Sequence, residues 1–351
     1  MERVTINDIA RELNVTAATV SRALNDHPAI SDGTKALVRA KAEQMNYRQN
    51  KMASSLRSGK SHIWGVLIPS AKINFFGSVV HGIENVASEN GFTTLLYQSN
   101  ELMENEVKGL DTFFRSGVDG VIASIALGTT NYDHFLEIKN KGIPLIFFDR
   151  SKEELGIPSV VIDDYKGAFN ATDHLIRQGC KRIAHIGGPE HSDIFKNRMN
   201  GYKDALLKNN LPVEEDLIVT GNLTVEGGRM SMEELLNLEN PPDGIFAAED
   251  FTALGAMLTL KEKKISIPED MALIGFANEE FGKYITPTLS TVDQQTVKMG
   301  EEAARLLMKL SKGNNFYKEE PVKIVLEPEM IFRESSMKKV EAVREYSSEV
   351  I

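Results

Sequence analysis

Near the start of the chain the apolar residues recur at helical spacing in two short blocks. Ile6, Ile9, Ala10 and Leu13 stand three and four apart and make one buried stripe, and Val20, Ala23 and Leu24 make a second. The pattern predicts two helices, the second over Ala17–Leu24. Thr5 and Asp8, three apart, give the first a capping-box start, and Thr16 caps the second. Asn14 falls where the intervening turn needs a positive φ, a region Asn tolerates when glycine is absent. With Val20, Ala23 and Leu24 turned toward Ile9 and Leu13, the residues Ala17, Ala18, Ser21 and Arg22 face outward. A turn containing Pro28 follows. Ser31 then caps a third predicted helix over 32–46, with Val38, Ala42 and Met45 inside. After it comes NYRQNKMASSLRSGKS at 46–61, basic and Ser-rich with a lone Leu56.

Beyond this segment the period changes. Short apolar runs at 63–68, 92–98, 120–124 and 144–149 alternate with helical stretches at 77–90, 104–116 and 132–141. A second half repeats the rhythm: runs at 159–163, 182–188, 217–221, 244–248 and 272–276, with helices at 165–178, 198–209, 225–237 and 250–263. Near-continuous apolar strands between helices predict an α/β fold of parallel sheets covered on both faces. Gly91, Gly117, Gly142 and Gly179 each stand where a helix end wants a left-handed residue. Two doubly wound halves imply a cleft between them. The 351 residues, 42% hydrophobic, are enough for two or three cores.

Charge is unevenly spread over the net −10. Residues 1–60 hold ten Lys/Arg against six Asp/Glu, a balance of +4, and the remainder hold 30 against 44, a balance of −14. The basic share sits with the two-helix motif, as neutralising phosphates requires. No N-terminal apolar stretch suggests export and no apolar run approaches 18 residues, so a cytoplasmic location with no membrane partner is expected. The single cysteine, Cys180, rules out an intrachain disulfide and reads as a plain buried thiol. Enzyme motifs are missing. GKS at 59–61 lacks its partner glycine, Ser54 standing in its place, and precedes a strand instead of following one. No G-x-G-x-x-G follows the first strand, no G-x-S-x-G occurs, and His185 and His191 have no third ligand at metal spacing. Neither a cofactor nor a metal is expected.

The segments VTINDIA at 4–10, NVTAATVSRALN at 14–25, NY at 46–47 and NKMASSLRSGK at 50–60 resemble the LacI/GalR family of transcription regulators, and the resemblance extends over nearly the whole chain. It implies a helix-turn-helix DNA-binding headpiece at 1–49, a hinge helix and linker at 50–61, and a two-lobed body similar to periplasmic sugar-binding proteins. The hinge-proximal lobe would comprise 62–162 and 293–321, the distal lobe 163–292 and 322–336, and the tail 337–351. In such a protein residues 17, 18 and 22 face base edges, and Leu56 is an apolar wedge for the minor groove. The implied DNA-binding set is Thr5, Thr16, Ala17, Ala18, Ser21, Arg22, Asn25, Asn50, Ala53 and Leu56. Arg22 suits a base or phosphate contact, Thr16 and Ser21 phosphates, and Ala17 and Ala18 small apolar contacts. The expected function is a sequence-specific regulator, a repressor, acting as a homodimer on a pseudo-palindromic operator under control of a sugar or sugar-derived effector. The tail lacks a Leu heptad for a larger coiled coil. A carbohydrate-binding protein, or an α/β enzyme with an accessory DNA-binding head, stays as the alternative.

Ligands of parallel α/β sheets bind beyond the carboxyl ends of the strands. That rule nominates Phe75 and Phe76, Asp149 and Arg150, the 192–198 segment with Ser192 and Arg198, Glu249 and Asp250, and Asn278; the same set is similar to the family's effector positions, to which Leu223 is added. Aromatic faces with carboxylates and guanidinium forks make a polyol site. Three positions depart from the family pattern: Ala277 where Asp is frequent, Glu249 where Asn is usual, and Leu223 where an aromatic often stacks. Each nominee has a plainer reading too, the phenylalanines as core, Asp149 and Asp250 as helix caps, Arg198 as a structural ion pair.

Overall fold

The computed structural model describes residues 4–47, 60–189, 191–312, 316–317 and 320–338. The chain divides into two compact units, Met1–Ser61 and His62–Ile351. In the first, α1 (Ile6–Glu12), α2 (Ala17–Leu24) and α3 (Asp32–Gln44) close around Ile9, Ala10, Val20, Ala23, Val38 and Ala42. The Asp8 carboxylate accepts the Thr5 backbone N–H at 2.8 Å and the Thr5 hydroxyl at 2.7 Å. These bonds hold its carboxyl below the usual range. Thr16 Oγ1 accepts the Thr19 N–H at 3.1 Å and Ser31 Oγ the Thr34 N–H at 3.3 Å, so both predicted caps form. Asn14 takes φ 52°, as the turn demanded. The third helix ends at Gln44, short of the predicted end at 46, because Asn46 itself turns left-handed at φ 50°. The expectations for Asn50, Ala53 and Leu56 fall outside the described residues.

The second unit holds two parallel sheets. The first contains β1 (Ile63–Ile68), β2 (Thr93–Gln98), β3 (Gly120–Ala123), β4 (Leu145–Phe148), β5 (Ser159–Ile162) and β11 (Lys323–Leu326), in the order β11-β5-β4-β3-β1-β2. The second contains β6 (Ile183–Gly187), β7 (Ile218–Thr220), β8 (Gly244–Ala247) and β9 (Ala272–Ile274), in the order β7-β6-β8-β9. Strands β3, β4, β5, β6, β8 and β9 are buried throughout, which explains their unbroken apolar runs. Helices α4 (Asn74–Glu89), α5 (Met103–Arg115), α6 (Asp133–Asn140) and α11 (Thr296–Leu310) accompany the first sheet. Helices α7 (Asp164–Arg177), α8 (Asp193–Lys208), α9 (Val225–Leu236) and α10 (Asp250–Glu262) accompany the second. Two short antiparallel strands, β10 (Thr291–Asp293) and β12 (Glu329–Ile331), pair where the chain crosses between lobes. The four predicted helix-ending glycines all take positive φ.

Three features differ from the sequence reading. Helices α4 and α8 start at Asn74 and Asp193, three and five residues earlier than predicted; Ile73 offers α4 no cap, and Ser192, though a capping residue type, makes no cap bond to α8. Helix α11 lies in a segment for which no element was predicted. Strand β11 pairs with β5 in the first sheet, whereas 322–336 was assigned to the distal lobe; the last crossover therefore comes after Leu326. An edge strand with Val325 half-exposed gives too weak a pattern to reveal its sheet.

Candidate functional site

The outward face of α2 is built by its inner stripe. With Val20 and Ala23 buried, Ala18, Arg22 and Asn25 are exposed, while Ser21 and Ala17 are half-buried. Ala17 packs against the headpiece core and is less outward than the pattern predicted. Asn25 Nδ2 donates to the Ser21 carbonyl at 2.8 Å, closing the helix end. Thr5 and Thr16 are exposed at the two helix starts. Among the described residues of this unit, Arg11, Lys35, Arg39 and Lys41 are ion-paired to Asp8, Asp32, Asp26 and Glu12. Arg22, exposed on α2, has no described carboxylate partner.

The cleft between the sheets encloses about 540 Å³. Seven nominated residues line it: Phe75, Phe76, Asp149, Arg150, Arg198, Leu223 and Glu249. The phenylalanines occupy the first turn of α4, their rings edge to face at 5.0 Å. Arg150 follows β4, and its Nη1 lies 3.0 and 2.9 Å from the two carboxylate oxygens of Glu101. Glu101 also accepts the Leu127 N–H at 2.7 Å, tying two strand-end loops together. Arg198 is 4% exposed and held from several sides. It donates to Asp164 at 2.8 Å, to the Ala248 carbonyl at 2.6 Å and to Gln294 at 3.3 Å, and its guanidinium lies 3.6 Å over the Phe276 ring.

The carboxyls of the wall are shifted upward. Burial pushes Asp149, left-handed at φ 58°, up to about 7, with Arg150 opposing. Glu249 caps α10 by accepting the Phe251 N–H at 2.7 Å and the Thr252 N–H at 3.4 Å. Burial, with the Asp250 charge beside it, lifts it to about 8. Burial also raises Asp164 and Glu279.

The other nominees lie elsewhere. Asp250 is fully buried behind the wall, accepting the Thr291 hydroxyl at 2.7 Å and the Glu279 N–H at 2.8 Å, and burial pushes it up to about 7. Asn278 donates to Asp293 at 2.8 Å and accepts from Arg333 at 2.8 Å, outside the lining. Ser192 lines a separate recess of about 40 Å³ with Thr129, Tyr132 and His191. The lining includes Glu101, Asn222, Glu279 and Gln294, which the sequence reading passed over. Glu101 and Asn222 follow β2 and β7, so applying the strand-end rule to every predicted strand would have found them, whereas Gln294 follows β10, an antiparallel strand that no apolar run marked. Among the described lining residues there is no histidine, serine or cysteine.

Residues 5–50 match the family model described as "Bacterial regulatory proteins, lacI family", and residues 172–336 match "Periplasmic binding protein-like domain". The catabolite control protein A of Priestia megaterium is 34% identical over 307 residues, 87% of this chain and 92% of that one. A solved LacI family transcriptional regulator from Enterococcus faecium with bound ribose is 30% identical, with a TM-score of 0.68 over 78% of this chain and 98% of its own. The lac repressor dimer bound to operator and the anti-inducer ONPF, 22% identical, shares the fold at a TM-score of 0.85 over 96% of this chain and 100% of its own.

Proposed function

The chain belongs to the lacI family of bacterial regulatory proteins, and on that premise we propose that it is a cytoplasmic, sequence-specific transcriptional repressor that binds a pseudo-palindromic operator as a homodimer. The observation that carries the DNA reading is the exposed face of α2, where Arg22 has no described carboxylate partner while Arg11, Lys35, Arg39 and Lys41 are ion-paired. Arg22 contacts a base edge or a phosphate, Thr16 and Ser21 approach phosphates, and Ala18 offers a small apolar contact. One headpiece makes too few contacts for operator-grade affinity, whereas a symmetric pair reads two half-sites.

The cleft is the effector site, and Phe75, Phe76, Asp149, Arg150, Arg198, Leu223 and Glu249 contact the ligand, a sugar or sugar derivative. Asp250 acts from behind the wall by holding Glu279. An effector controls the operator only if it prefers one arrangement of the dimer, and a coupling of about 1–3 kcal/mol changes operator affinity about 5–150-fold.

The test is operator selection from a random DNA pool with the full chain, followed by fluorescence anisotropy with and without a panel of sugars and sugar derivatives. A palindromic consensus with an affinity that one panel member changes by at least about fivefold is expected. Failure to enrich any sequence overturns the DNA reading, and an operator affinity indifferent to every ligand overturns the effector reading alone.

A further inference from the structure

The effector cleft proposed above has more carboxylates than its cations can match. Arg150 is engaged by Glu101 and Arg198 by Asp164, while Lys72 stands exposed at the rim. Asp149, Glu249 and Glu279 are left over. Asp149 is 8% exposed and Glu279 4%. Among the described contacts Asp149 accepts no hydrogen bond; Arg150 Nε lies 3.8 Å away on a guanidinium already turned to Glu101, and Arg198, whose charge also reaches Asp149, is paired to Asp164. The Phe75 backbone N–H partly opposes the rise at Glu279, and Glu249 accepts the first N–H groups of α10 on one oxygen, so acceptor capacity remains toward the cavity. Around these carboxyls stand the apolar faces of Phe75, Phe76, Phe195 and Phe251.

A carboxylate held in apolar surroundings without a cation is costly, and aromatic faces add attraction for a positive charge. Resting on the effector reading, we infer that the ligand of this cleft carries a protonated amine on a hydroxylated frame, an amino sugar in chemical class. The amine sits among Asp149, Glu249 and Glu279, and the hydroxyls meet Asn222 and Gln294. A neutral polyol offers these carboxyls hydroxyl donors but no positive charge.

The unliganded carboxyls reduce their own cost by keeping protons. Facing Asp149 are Arg150, Asp164, Arg198 and Glu101, and facing Glu249 are Asp250 and Glu279. With Asp149 raised to about 7 and Glu249 to about 8, an amine that enters near neutral pH expels protons. A neutral sugar expels none.

Isothermal titration calorimetry of the full chain with glucosamine, galactosamine and mannosamine, each against its neutral hexose, tests this. At least one amine is expected to bind about tenfold or more tightly than its hexose. It should release protons, seen as a heat that depends on the buffer's ionisation enthalpy. Its affinity should rise from about pH 5.5 to about pH 7, where the amine keeps its proton and the carboxyls lose theirs. Glu249→Gln, which preserves an acceptor for the α10 cap, should cut the amine's advantage over its hexose to threefold or less. A hexose that binds as tightly as its amine overturns the inference and leaves the effector cleft standing. Binding by none of the six overturns it as well, and the effector reading itself then falls only if operator affinity responds to no ligand.

Discussion

Arg22 and Arg198 show two fates for a guanidinium. Arg22 is exposed on α2 with no described carboxylate partner, so Arg22→Ala should weaken operator binding by about 1–3 kcal/mol without moving the unfolding midpoint. Anisotropy titrations paired with thermal denaturation check both halves, and an unchanged operator affinity would remove Arg22 from the interface. Arg198 is the reverse case. Its ion pair with Asp164 is buried on both sides, 4% and 6% exposed at the side chains, so Arg198→Met leaves an uncompensated carboxylate. A loss of about 3–5 kcal/mol in urea unfolding is expected. The sequence exposed the first arginine and hid the second's partner. A helical stripe shows at once which residues face out, whereas Asp164 lies 34 positions from Arg198 and nothing local joins them.

At the level of elements, strands were more legible than helix starts. A fully buried parallel strand writes itself as an apolar run, and β1, β3 and β4 lie within the predicted ranges. Helix starts are less plainly marked, and Phe75, Phe76 and Ser192, expected on loops, prove to sit at or inside them. Helix α11 escaped because it follows a lobe crossover, where the strand-helix alternation that identified the others is interrupted. Its packing depends on glycine. A Cβ on Gly300 would stand 2.0 Å from the Val79 carbonyl oxygen, and one on Gly82 would stand 2.1 Å from that of Val297. Backbone thus meets backbone where α4 crosses α11, beneath the turn that presents Phe75 and Phe76. Gly300→Ala forces the helices apart and should cost about 1–3 kcal/mol by thermal unfolding. An unshifted melting curve would mean the crossing relaxes freely.

Across the whole molecule, the doubly wound rhythm revealed a cleft, but the charge balance inside it emerged only when residues from both lobes were brought together. That balance makes stability depend on pH. Asp149, Glu249 and Asp250 are raised to about 7, 8 and 7, against about 4 in an unfolded chain, so the folded state holds the extra protons. Their contribution is complete below about pH 4 and is lost as pH rises through 7 to 8. The buried His174 and His185, lowered by burial to about 4 against about 6.5 unfolded, act oppositely. Their contribution is present above about pH 6.5 and is lost as pH falls toward 4. Between about pH 5 and 6.5 the three carboxyls outweigh the two histidines by about one proton, and above that range the carboxyls act alone. The melting temperature of the unliganded protein should therefore fall gently from about pH 5 to about pH 6.5 and more steeply to about pH 8. Asp149→Asn with Glu249→Gln should flatten that fall, and a saturating cationic ligand should reverse it by stabilising the ionised carboxyls. A melting temperature that instead rises from pH 6.5 to 8 would show that these carboxyls are already ionised and compensated in the folded chain.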